Sequence, residues 1–190
     1  MQFEHIVIDP ETPGSQNDVC LIADVNNDGH NDIIIGGKLG QGNVVWYEYP
    51  NWRRHTIGTA RLEAGGAVLD IAGNGRLDFV AGNDWGGNEL YWFENPGVPD
   101  QPWPKRLIET ELLKYDDQAV GDVDGDGKDE IVALSQQSRV IVYYDVPDDP
   151  RVSPWPRRCR HTICRDIEVE GVAVGAVSYT HLRAHETVLD

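Results

Sequence analysis

Positive charge is scarce in this chain of 190 residues: 16 Lys and Arg stand against 32 Asp and Glu, a formal net charge of -16. A phosphate backbone needs the opposite balance, so no nucleic-acid partner is expected, and bound cations are. No apolar run approaches the about 20 residues of a membrane-crossing helix, so no membrane span is expected. The first residues, Met1-Gln-Phe-Glu-His5, have neither a basic patch nor an apolar stretch, so no signal peptide is expected in the chain as it stands. Only three cysteines are present, Cys20, Cys159 and Cys164, without CxxC spacing and odd in number, so they give no closed disulfide set. Cys159 and Cys164 fall in a stretch that reads as strand, which places them on opposite faces and makes a local bridge sterically poor. Helical periodicity of useful length is missing as well. What remains, 40% hydrophobic and 25% charged residues, is enough to bury a core.

The chain repeats. Asp24-Val-Asn-Asn-Asp-Gly-His-Asn-Asp-Ile-Ile, Asp70-Ile-Ala-Gly-Asn-Gly-Arg-Leu-Asp-Phe-Val and Asp122-Val-Asp-Gly-Asp-Gly-Lys-Asp-Glu-Ile-Val are one motif, recurring at intervals of 46 and 52 residues. A second landmark follows each: Trp46-Tyr-Glu-Tyr-Pro50, Trp92-Phe-Glu-Asn-Pro96 and Tyr143-Tyr-Asp-Val-Pro147. A third opens with Trp52, Trp103 or Trp155 and ends in Arg54-His-Thr-Ile57, Arg106-Leu-Ile108 or Arg160-His-Thr-Ile163. Each unit holds about four short β-branched and aromatic runs between Gly, Pro, Asn and Asp clusters, the pattern of a four-stranded antiparallel sheet. The predicted fold is all-β, a β-propeller of such blades, with a β-sandwich as the alternative. Predicted blades cover 16–58, 63–110 and 115–165, with residues 1–9 as the outer strand of a preceding blade and 167–176 as the start of the next. Ile33-Ile-Ile35 and Val140-Ile-Val142 lack polar alternation, which predicts strands covered on both faces.

In the first motif, oxygen side chains recur at positions 1, 3, 5 and 9 (Asp24, Asn26, Asp28, Asp32), with Gly29 at position 6 for a sharp turn. Hard oxygens converging on one point suit Ca2+, and position 7, His30, would lend its backbone carbonyl. The third motif is the most acidic: Asp122, Asp124, Asp126 and Glu130, with Lys128 at the carbonyl position. The second keeps Asp70, Asn74 and Asp78 but has Ala72 at position 3, with Arg76 at the carbonyl position, so it lacks one ligand. An EF-hand is excluded because position 12 would fall on Ile35 or Ala133 and the flanks read as strands; Asp-Gly hairpin turns are the plainer alternative.

On these residues the repeats resemble the FG-GAP or VCBS class found in integrin-type propellers and in many bacterial extracellular proteins, over residues 1–176. The resemblance implies calcium loops between the first two strands of each blade, commonly seven blades in the ring, and an extracellular, periplasmic or surface location. Val177-Ser-Tyr-Thr-His-Leu-Arg-Ala-His-Glu-Thr187 resembles instead one reading frame of a transposase adapter used for sequencing libraries, so 177–190 reads as a non-native tail. Glu170-Gly-Val-Ala-Val-Gly175 aligns with Asp116-Asp-Gln-Ala-Val-Gly121, which puts Ala176 where a fourth motif would begin.

Two function classes are open. One is a calcium-stabilised binding module for a carbohydrate or protein ligand; the other is the propeller part of a sugar-active enzyme, since such propellers resemble those of some polysaccharide lyases and of aldos-2-ulose dehydratase. Carboxylates at or beside the sixth position before each motif, Asp18, Glu63 (beside Ala64), Asp116 with Asp117, and Glu170, come to one rim if the innermost strand runs parallel to the axis; solvated loop ends are the plainer alternative, because no Lys, Arg or His recurs there to complete a catalytic set. His5, His55 and His161 read as blade-edge packing and the repeated Trp residues as core. Trp85, in Asp84-Trp-Gly-Gly-Asn88, has no match in the other repeats and is the candidate for an exposed contact such as stacking on a sugar.

Overall fold

The computed structural model describes residues 3–175; the tail 177–190, with His181 and His185, and Ala176 lie outside the described residues. Twelve strands run in three antiparallel sheets whose strand order follows the chain. Sheet I holds β1 (Val19–Ala23), β2 (Asp32–Gly36), β3 (Val44–Glu48) and β4 (Arg53–Gly58). Sheet II holds β5 (Ala67–Leu69), β6 (Asp78–Gly82), β7 (Leu90–Phe93) and β8 (Lys105–Glu109). Sheet III holds β9 (Tyr115–Gly121), β10 (Glu130–Ser135), β11 (Val140–Tyr144) and β12 (Arg160–Arg165). No helix among the described residues is long and apolar enough to cross a membrane.

Alternation of side chains along a strand explains how the sheets join. Phe79, Ala81, Tyr91 and Phe93 of sheet II share one core with Val19, Ile34, Trp46 and Ile57 of sheet I. Their neighbours Val80, Leu90 and Trp92 share a second core with Ile131, Ala133, Val142 and Tyr144 of sheet III. The middle sheet is therefore buried on both faces, and β6 and β7 carry no exposed residue. Each such apolar side chain taken from water contributes about 1.5–3 kcal/mol before the cost of chain ordering. Backbone bonds lock the sheets in register: the N–H of Trp103 donates to Ile57 O of the preceding sheet at 3.0 Å, and that of Trp155 to Ile108 O at 3.0 Å.

Two strand expectations are corrected, those for the Ile-Val runs and for Cys159. Ile33, Ile35 and Ile141 are only half-buried, because their faces point away from the shared cores. The strands buried along their whole length are β6, β7 and β10, and in β6 and β7 aromatic residues rather than an Ile-Val run fill both faces. The run Glu4-His-Ile-Val-Ile8 makes no ladder with any described strand; instead Ile6 and Ile8 border a hollow with Cys20, Ile33, Ile35 and Tyr47 on the outward face of sheet I. Tyr47 Oη donates to Asp9 at 2.7 Å and Arg54 reaches the same carboxylate at 3.0 Å. Cys159 sits in a 3-10 turn, Arg157–Cys159, rather than in a strand, and all three cysteines are free.

The aromatic landmarks are core where they were expected to be: Trp46, Trp92, Trp103 and Trp155 are buried, Trp52 half so. Cross-strand pairing explains the recurring His or Arg. His55 lies opposite Trp46, stacked on it at 4.4 Å, and bonds Glu48 at 2.8 Å. His161 repeats this on Tyr143 and Asp145, and Arg106 on Trp92 and Glu94. His5 is exposed and takes no part.

Candidate metal loops and the opposite rim

The antiparallel order puts the three Asp-rich motifs at one end of the sheets, joining β1 to β2, β5 to β6 and β9 to β10. Their backbones bend alike. Positions 4 and 6 have positive φ in each: Asn27 and Gly29, Gly73 and Gly75, Gly125 and Gly127. A side chain at position 6 would meet nothing, so glycine is there for its backbone freedom and not for space.

That bend wraps the backbone around the first carboxylate. Asp24 accepts from the N–H groups of Asp28 (3.1 Å) and Gly29 (2.9 Å), Asp70 from Asn74 (2.9 Å) and Gly75 (2.8 Å), and Asp122 from Gly125 (2.7 Å) and Gly127 (3.1 Å). Position 5 caps position 7: Asp28 accepts from His30, Asn74 from Arg76, and Asp126 from Lys128. Position 9 plugs the floor. Both oxygens of Asp32 are held, by the N–H groups of Val25 and Tyr49, both oxygens of Asp78 by those of Ala72 and Asn95, and one oxygen of Glu130 by that of Val123. This anchoring task is additional to the ligand role read from spacing. Burial pushes the carboxyl pKa of Asp32 and Glu130 up, and that of Asp78 up to about 6.

The loops differ in what they gather. One oxygen from each of Asp122, Asp124 and Asp126 lies within 4.8 Å of the others, and so do oxygens of Asp124, Glu130 and Asp145. These are the only carboxylate, His or Cys groupings of that closeness among the described residues. The donors are hard oxygens, which fits Ca2+. In the first loop Asn26 replaces a carboxylate, and its amide donates to Asp28 and to Glu48, each at 3.2 Å. In the second, Ala72 supplies no oxygen and the Arg76 guanidinium turns aside to Asn95 O at 3.2 Å. Asp145 was missed, though Glu48, Glu94 and Asp145 recur one or two residues after the aromatic landmark. A cavity of about 360 Å3 beside the third loop is lined by Asp70, Asp124, Asp126, Glu130 and Asp145, so it borders the second loop too.

At the other end, the expected carboxylate rim is partly assembled and is not purely acidic. Lys38 bonds Glu63 at 2.8 Å and Asp18 at 3.4 Å; Lys114 bonds Asp116 at 2.9 Å and lies 4.0 Å from Glu63. Glu63 and Asp116 are buried, and the two lysines offset their charge. No cation recurs in the repeat at this rim, yet two lysines reach it: Lys38 follows β2 and Lys114 precedes β9, different sequence positions that meet only in three dimensions. The bond to Glu63 holds the Lys38 ammonium pKa above its ordinary value. Glu170 joins through Gln136 at 3.4 Å. Asp117 does not join, because its oxygens take the N–H groups of Gln118 and Val172. Trp85 stands beside this set, with Lys114 Nζ 5.6 Å from its ring centre, and is 65% exposed.

Residues 70–133, from the second Asp-rich loop through the third, match the family model of the FG-GAP-like repeat. None of the curated proteins matches the chain.

Proposed function

We propose that the chain is part of an FG-GAP-type β-propeller, each four-stranded sheet one blade, whose Asp-rich loops bind Ca2+ and which serves as a ligand-binding module of a secreted or surface protein. The observation that carries the reading is the third loop, where Asp122, Asp124 and Asp126 converge on a backbone bend that the other two loops share. Like charges that close repel, and a divalent cation relieves them while adding its binding free energy to the fold. The matched FG-GAP-like repeat supports the propeller and the extracellular or surface setting.

The rim supports binding over elimination chemistry. A base must be unprotonated to take a proton, whereas Lys38 is fixed as an ammonium by Glu63. Glu63 and Asp116 are in turn occupied by lysines.

Thermal unfolding in Ca2+ and in chelator tests the reading. At about 100 times the dissociation constant, Ca2+ adds about 2.7 kcal/mol, a rise of about 5–10 °C for a chain of this size. Asp126→Ala should remove a large part of that rise. Superimposable melting curves, with the β-sheet circular dichroism intact, would refute the metal assignment.

A further inference from the structure

A cavity of about 920 Å3 opens at the rim end and is lined by Trp85, Gln136, Gln137, Arg139, Glu168, Val169 and Glu170. We infer that this cleft is a saccharide site in which the Trp85 indole carries a neutral pyranose ring and the amide, guanidinium and carboxylate groups bond its hydroxyls. The inference deepens the binding-module reading and rests on it for the fold.

Trp85 is exposed but not loose. Its turn is held by Gly87 N–H to Asp84 O (2.9 Å), Lys114 N–H to Gly87 O (2.9 Å), Tyr115 N–H to Asn83 O (3.1 Å) and Gly86 N–H to Gln137 Oε1 (2.9 Å). A large apolar ring fixed in water is costly to keep unless something covers it, and here it borders a cleft rather than a convex surface.

The chemistry of the walls selects the occupant. Arg139 is paired with Glu168 at 2.6 Å and donates to Asp166 O at 3.2 Å, so its guanidinium plane is pre-set. Gln136 bridges from Lys114 to Glu170. Donors and acceptors thus alternate around an aromatic face, which matches a sugar, whose hydroxyls each donate and accept while its axial C–H groups present an apolar face. An anionic ligand would meet Glu168, Glu170 and an acidic chain, and the one arginine is already neutralised. A wholly apolar ligand would strand the polar walls. The volume lies near the top of the about 300–1,000 Å3 of ordinary ligand pockets, which points to an oligosaccharide.

Calorimetric titration of the full chain with neutral hexasaccharides (α- and β-linked glucose, β-linked mannose, β-linked xylose) and with hexagalacturonate tests the assignment. At least one neutral hexasaccharide should bind at millimolar or lower concentration. Trp85→Ala should weaken it about tenfold, Trp85→Phe less, with melting unchanged. No binding by any neutral hexasaccharide, equal binding by Trp85→Ala, or tighter binding of hexagalacturonate would overturn it. Melting of the same samples in Ca2+ and chelator separates the two ideas: a calcium-dependent shift without saccharide binding sinks the cleft and leaves the propeller reading standing.

Discussion

The two ends of the sheets gather charge by different rules. At the Asp-rich end the third loop builds an acidic cluster from residues within nine positions, and only Asp145 joins it from outside. At the opposite end no single segment builds anything: Lys38 from sheet I, Glu63 from the connection to sheet II, and Lys114 with Asp116 at the start of sheet III meet across sheets. The first arrangement leaves negative charge for an external cation; the second neutralises itself. A local cluster can depend on an ion because its loop bends around backbone N–H groups anyway, whereas buried carboxylates between sheets need a cation that folds in with them.

The sharpest way to break this comparison is Lys114→Met, which leaves Asp116 and Glu63 without one ammonium. Breaking a buried pair costs about 3 kcal/mol, so melting should fall by about 6–12 °C, and by the same amount in Ca2+ and in chelator. A drop that Ca2+ repairs would mean that the two ends are not independent.

A smaller effect separates the loops themselves. Asp122→Ala and Asp70→Ala each delete an acceptor of two backbone N–H groups, a loss of about 1 kcal/mol in chelator. In Ca2+ the Asp122 variant should lose about 1–2 kcal/mol more than the Asp70 variant, because only the third loop collects three carboxylates. Equal losses in denaturant titrations with Ca2+ would show that Ala72 does not impair the second loop.

Protons probe the same end. Burial raises the carboxyl pKa of Asp32, Asp78 and Glu130, Asp78 to about 6, so the folded chain holds these protons more tightly than the unfolded chain. In chelator these groups should therefore add stability as pH falls from neutral through the Asp78 pKa, and the gain should be lost as pH rises back through it. Ca2+ competes with those protons, so the calcium-induced shift should shrink over that window; melting at stepped pH checks both signs. The smallest effect is expected from Ala72→Asp, which completes the third position of the second loop: a calcium shift larger by about 1 kcal/mol or less, and slightly lower melting in chelator.

Much of the Asp-rich end was legible from spacing. Oxygen residues at fixed offsets and a glycine at position 6 describe a bend that local backbone sterics enforce, and the three loops share it. The part missed there, Asp145, directly follows β11, far along the chain from its loop, although its recurrence as Glu48 and Glu94 was available as a signal. Trp85 stood out because no repeat matched it. What it faces did not stand out: Gln136 and Arg139 belong to the β10–β11 turn and Glu168 to the segment after β12, and nothing in their own neighbourhoods marks them as one wall.

The amino-acid sequence by itself determined the four-stranded units, their order and the curled acidic loops, because strand alternation, turn chemistry and first-carboxylate capping act over a few residues. Tertiary structure decided which strands are covered on both faces, since that depends on what packs on each side, as it does for β6, β7 and β10 and not for β2. It also decided the charge balance of the rim. Lys38 and Lys114 occupy unrelated places in the repeat, and only the packing of one sheet on the next brings their ammonium groups to carboxylates that would otherwise be buried unpaired.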